Sequence, residues 1–409
     1  MTTAGAEMSA FPHAIAILVS LLSLAGCAGT RVHRDIDGEV AVDTAAAELA
    51  ESSLLDVWIE LFDPGELPSE NDVADGLSMD IRQAESRYMA EQLRETMERT
   101  GYWGAVRVVP RDTTGGELLV KATILESDGQ RLKLHVVAAD ASGRQWLDGS
   151  YHAQVTAADY QDLPPPDGEV FQALYNAVAN DLARARGQLH DDDIVAIRRI
   201  AALQFAAELA PDAFTGYLRR NDEGLYRVER LPAREDPMYR RVSAIRQRDL
   251  LLIDTLNGYF DNFSRQVQQP YTDWRRARSE EAEAMSRIRS DATKRKVLGA
   301  MAILGAIALE VAGSNSTRRA TGSMRDVMVL GGAYAIKTGF DKDSEATIHR
   351  DAIAELGASF SAETRPLVVE VEGQVHELEG SAEQQYAAWR QLLKRIYANE
   401  TGIGTEEGR

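Results

Sequence analysis

At 409 residues, with 44% hydrophobic and 27% charged residues, the chain is long enough for two or three domains and too apolar for a disordered polymer. A formal net charge of −19 argues against non-specific nucleic-acid binding, which needs a basic surface to release counterions. The one cysteine, Cys27, rules out an intramolecular disulfide and leaves any metal site to histidines and carboxylates.

From the amino terminus, Ala14 to Ala25 is a 12-residue apolar run, the length of a signal-peptide core and too short to span a bilayer. It ends in Leu24-Ala25-Gly26-Cys27. This tetrapeptide resembles the lipobox of bacterial lipoproteins, with small residues for the signal peptidase and a thiol to accept a diacylglyceryl group. The region before it holds no Lys or Arg, a departure from the basic leader of that pattern. The resemblance implies a signal peptide over 1–26, lipidation at Cys27 and a membrane anchor of acyl chains. Ala28, in place of Asp, implies the outer membrane, on its periplasmic face or exposed at the surface. The alternative is a buried free cysteine in an apolar helix.

Residues 27–53 read as a lipidated tether, being small, polar and charged without a sustained apolar period. An α+β domain is expected over 54–160. Leu55, Val57, Ile59 and Leu61 alternate as in a strand, and Ile81, Ala84, Tyr88, Met89, Leu93 and Met97 mark an amphipathic helix that ends at Gly101. Four further strands follow over 105–110, 117–127, 131–140 and 144–155, with turns at Gly129 and Gly143. The predicted arrangement is a helix packed on a mostly antiparallel sheet. Its element order, with Thr100-Gly101 before a Val106-Arg107-Val108 strand, resembles the small domain of envelope lipoproteins: the curli-secretion lipoprotein, the penicillin-binding-protein activators and the amino-terminal domain of the Tol propeller protein.

Leu163-Pro164-Pro165-Pro166-Asp167-Gly168 marks a boundary, after which 169–296 reads as a helical domain. Residues 271–296 are dense in charge, a solvated helix stitched by pairs such as Arg276 with Glu280. Two apolar segments, 297–313 and 327–339, predict a hydrophobic helical hairpin over 297–339. Ala302 with Ala306, and Gly331, Ala335 and Gly339, supply small residues at close-packing spacing. That line suits a soluble core, an oligomer seam or a membrane-inserted hairpin. Residues 331–338 end in Lys337-Thr338 like a phosphate loop, but Ile336 stands where that loop needs glycine. A helix, a β-hairpin and a last helix capped by Ser381 are expected over 340–398, with a frayed tail over 399–409.

The histidines are scattered without metal-ligand spacing. His190 beside Asp191, Asp192 and Asp193 reads as a helix cap, and the acidic hairpin Glu370, Glu372, Glu377 and Glu379 as a solvated sheet face. Nothing marks a nucleophile elbow, so no catalytic residue, cofactor or metal ligand is expected. The expectation is a non-enzymatic, outer-membrane-anchored lipoprotein of envelope assembly or scaffolding, with other envelope proteins or its own copies as partners and no nucleic acid. Its alternatives are an oligomeric pore- or secretion-associated lipoprotein built through the 297–339 hairpin, and an enzyme acting on an envelope polymer.

Overall fold

A computed structural model describes residues 31–66, 79–161, 168–310, 367–371 and 374–401. The amino-terminal part is a six-stranded sheet built from β1 (Val32–Ile36), β2 (Val57–Glu60), β3 (Val106–Val109), β4 (Leu118–Ser127), β5 (Arg131–Asp140) and β6 (Gln145–Gln154). Its strand order is β1-β6-β5-β4-β2-β3. The β4-β5-β6 meander is antiparallel, as alternation and the glycine turns predict. The sheet as a whole is mixed, because β2 runs parallel to both β3 and β4, and β1 parallel to β6. Parallel neighbours need a crossover of a dozen or more residues, and the helix between β2 and β3 supplies it.

That helix, α1 (Met79–Thr100), buries the predicted face of Ile81, Ala84, Tyr88, Met89, Leu93 and Met97. It ends at Gly101 with φ +71°, the left-handed C′ position that glycine adopts without strain. Its polar side is buried too: Arg82, Glu85, Glu91 and Thr96 lie under other helices. These are α2 (Gln172–Arg186) and the 74-residue α5 (Pro237–Glu310), both packed on α1.

Between them come α3 (Asp191–Leu209), the short turn of helix α4 (Pro211–Phe214) and a small hairpin of β7 (Leu218–Arg220) with β8 (Tyr226–Val228). That hairpin interrupts a region whose sequence reads as wholly helical. His190 caps α3 through its backbone N–H, which donates to Asp193 Oδ2 at 3.1 Å. This bond, the nearby Arg144 and His190 hold the Asp193 carboxyl below its usual value.

The second half ends in an antiparallel hairpin, β9 (Leu367–Val371) with β10 (Gln374–Leu378), and in α6 (Ala382–Thr401). Ser381 and Gln384 cap α6 reciprocally, Gln384 N donating to Ser381 Oγ and Ser381 N to Gln384 Oε1. Leu392 and Ile396 are buried as expected, while Ala387 is exposed and Trp389 takes the central place.

Two further sequence readings change. Residues 31–53, read as tether, hold β1 and are stitched to α2: Asn176 Nδ2 donates to Val40 O, Asn180 Nδ2 to Ala41 O, and Arg34 grips Asp181 with two 2.7 Å bonds. The 271–296 stretch is not solvated throughout, because Tyr271, Trp274, Arg275 and Ser279 are buried, and Arg276 reaches back to Asp273 at 2.6 Å. One apolar cluster runs from Ile36 to Tyr397, so elements on both sides of the Pro164–Pro166 run share a core.

Candidate functional site

The sheet has one face covered by α1 and α2 and one that opens into a cleft. Leu119, Lys121, Val137 and Ala139 alternate out of β4 and β5 to form its floor. Helix α3 contributes Gln204, Ala207 and Glu208, and the β7-β8 hairpin closes the side with Leu218 and Tyr226. Two adjoining hollows of 280 and 460 Å³ share Thr114, Gly115, Gln204 and Tyr226, the larger within the size range of small-ligand pockets.

The rim is the loop between β3 and β4, and its shape follows from Asp112-Thr113-Thr114-Gly115-Gly116. Asp112 sits at φ +61°, a left-handed conformation that Asp tolerates better than most residues. Thr113 Oγ1 donates to Pro110 O at 2.5 Å, and Thr114 Oγ1 to Glu208 Oε2 at 2.5 Å. Gly116 lies flat on Trp58; a Cβ there would come within 2.9 Å of the indole. Trp58 is 2% exposed and has nowhere to go. Gly116→Ala should therefore lower stability by about 1 to 3 kcal/mol through overpacking, measurable by urea unfolding, and should displace the rim.

The far end is ordered by Asp140. Its Oδ1 accepts from the backbone N–H and hydroxyl of Ser142, and its Oδ2 from Trp146 Nε1 at 2.8 Å. Gln204 Nε2 donates to Ala141 O, and Tyr226 N to Ser142 O, which pins the hairpin to the turn. Lys121 Nζ stands 2.9 Å from Glu60 Oε1, and burial raises the Glu60 pKa despite that partner.

The cleft thus offers an apolar floor, a few fixed polar groups and one ammonium. Its three threonine hydroxyls, those of Thr113, Thr114 and Thr215, already donate to acceptors of the protein, which suits recognition of a ligand better than attack on one. Nothing in the sequence marked this place, because its residues come from five separate elements and carry no motif.

Of the sequence-derived site residues, only Ala302 and Ala306 are among the described residues. Leu24, Ala25, Gly26 and Cys27 fall outside the described residues, as do Gly331, Ala335 and Gly339. Ala302 and Ala306 lie on α5, whose last turns carry the first apolar segment to Glu310. Among the described residues, no helix is long and apolar enough to cross a membrane. The parallel β1-β6 pair also unites histidines that are far apart in sequence: Asp35 lies 3.6 Å from His33 and 3.3 Å from His152. Comparison with protein-family models, curated proteins and solved structures finds no match.

Proposed function

We propose that the chain is an outer-membrane lipoprotein, anchored by acyl groups on Cys27, with a non-enzymatic role in envelope assembly or scaffolding through protein interaction. The observation that carries this reading is the start of β1 at Val32, five residues after the Leu24-Ala25-Gly26-Cys27 motif. Processing at that motif removes the apolar leader and leaves the sheet intact. Five residues reach about 18 Å at full extension, so the anchor holds the sheet close to the lipid. The cleft and the long α5 are the surfaces such a body offers to partners.

Growth of cells on radiolabelled palmitate tests the anchor. Label should enter the wild-type protein and vanish in Cys27→Ser, with the protein shifting from the outer-membrane fraction to the soluble one. Label that persists in Cys27→Ser overturns the proposal.

The oligomeric reading is favoured by one feature. Helix α5 runs unbroken from the charged region into the apolar segment, and helical spacing places Ala302 and Ala306 on one side of its end. Light scattering of the detergent-extracted protein should then give a multiple of the processed chain's mass that is lost in Gly331→Leu or Ala335→Leu. A monomer in every case removes this reading.

A further inference from the structure

We propose that Glu91, Glu95 and Asp261 form a calcium site that rivets α1 to α5. Glu91 and Glu95 stand one turn apart on α1, and Asp261 comes from α5; one carboxylate oxygen of each lies within 4.8 Å of the other two. Helices α1 and α5 are packed against each other over this region.

Glu91 separates this cluster from an ordinary acidic surface. Its side chain is 0% exposed, and Oε1 accepts from Arg94 Nε at 2.8 Å and Nη2 at 2.5 Å. The second oxygen, Oε2, is buried and has no hydrogen-bond partner. A buried carboxylate oxygen in that state is an open ligand position, since burial without a partner is otherwise unfavourable. Arg94 does not meet the whole charge, because its Nη1 also serves Glu98 at 2.6 Å. Asp261 is paired with Arg265, whose side chain is 63% exposed and free to swing into water.

The donor set selects the ion. Three carboxylates and no thiolate or imidazole fit a hard cation rather than zinc or copper. Calcium accepts six to eight oxygens in irregular geometry, which suits ligands from two helices with waters completing the shell on the exposed Glu95 side; magnesium demands a stricter octahedron.

The test uses the full mature chain in detergent, stripped with EDTA and titrated with CaCl2 by calorimetry and thermal unfolding. One equivalent should bind, and the melting temperature should rise by about 2 to 4 °C at millimolar calcium. Glu91→Gln and Asp261→Asn should each weaken binding at least tenfold and remove the shift. Asp261→Asn decides the matter if Glu91→Gln does not fold. Absence of a shift in the wild type, or its survival in Asp261→Asn, overturns the site, and an equal response to MgCl2 overturns its assignment to calcium.

Discussion

Arg275→Ala should cost the fold about 3 to 5 kcal/mol, because it leaves a fully buried carboxylate without its counter-charge. Arg275 and Glu169 are 0% and 1% exposed and meet through two parallel bonds of 2.8 and 2.9 Å. Glu169 also accepts from Tyr88 Oη at 2.7 Å and from Phe171 N, so every lone pair of the anion is used. The guanidinium stacks 4.2 Å from the Tyr271 ring centroid, and Tyr271 Oη in turn donates to Glu85. Ser127 of β4 donates to the same Glu85 oxygen, which ties the sheet, α1, the start of α2 and α5 into one network. Urea unfolding reads the loss, and the double variant Arg275→Met, Glu169→Met should recover part of it, since it leaves no unpaired charge in the core and only the Tyr88 and Phe171 donors without their acceptor.

The pH dependence carries a sign that a simple packing defect lacks. In the wild type, burial alone would raise the Glu169 pKa, but Arg275 and the hydrogen bonds hold it below its usual value. A carboxyl with a depressed folded pKa contributes stability above its unfolded value of about 4.3, and that contribution is lost as pH falls through the depressed value. In Arg275→Ala, burial is opposed only by the hydrogen bonds from Tyr88 and Phe171, and the sign should reverse. The deficit should be greatest at neutral pH and shrink on acidification, as Glu169 takes up a proton. A deficit independent of pH would reject this account.

Arg390→Leu should produce the second large effect, about 3 kcal/mol, felt first in the docking of α6. Arg390 Nη1 holds the 1%-exposed Asp249 of α5 at 2.9 Å, and Nη2 holds Glu208 of α3 at 2.7 Å. Trp389 Nε1 gives Asp249 a second bond at 3.2 Å, and Arg390 lies 4.9 Å from the Phe205 ring centroid. Three helices therefore meet at one guanidinium. Burial already raises the Asp249 pKa in the wild type, with Arg390 opposing. A raised folded pKa means a cost present at neutral pH and relieved as pH falls through that value, so the Arg390→Leu deficit should also narrow in mild acid. Hydrogen exchange should show α6 opening before the sheet. Uniform destabilisation of α6 and sheet would contradict the local role of this contact.

Much of the sheet was legible in the chain because it depends on local patterns. The β4-β5-β6 meander follows from strict alternation and from Gly129 and Gly143, which adopt φ +90° and +89° in the turns between strands. Strand β1 escaped notice because Val32 and Ile36 are its only apolar residues and its partner β6 lies more than a hundred residues away. The parallel pairing of β2 with β4 is equally remote from any local signal. On α1, Arg82, Glu85 and Glu91 look like the wet side of an amphipathic helix, and only the packing of other helices against it buries them. The cleft and the Glu169–Arg275 pair share that origin: each joins residues from separate elements, so periodicity carries no trace of them.

Helix α5 also has a mechanical meaning. From Glu283, whose carboxylate accepts from Ala157 N at 2.8 Å, to Glu310 it extends about 40 Å, while the preceding portion is held against β3, α1, α3 and α6. Asn257 fastens it to the sheet edge by bonding both the N–H and the C=O of Val108, at 2.7 and 2.9 Å. A rod clamped in this way is a lever. A tilt of about one degree at Glu283 moves Glu310 by about 0.7 Å. A load applied at Glu310 would meet the contacts of Glu283 and Ser279 first, and behind them the buried Arg275–Glu169 pair.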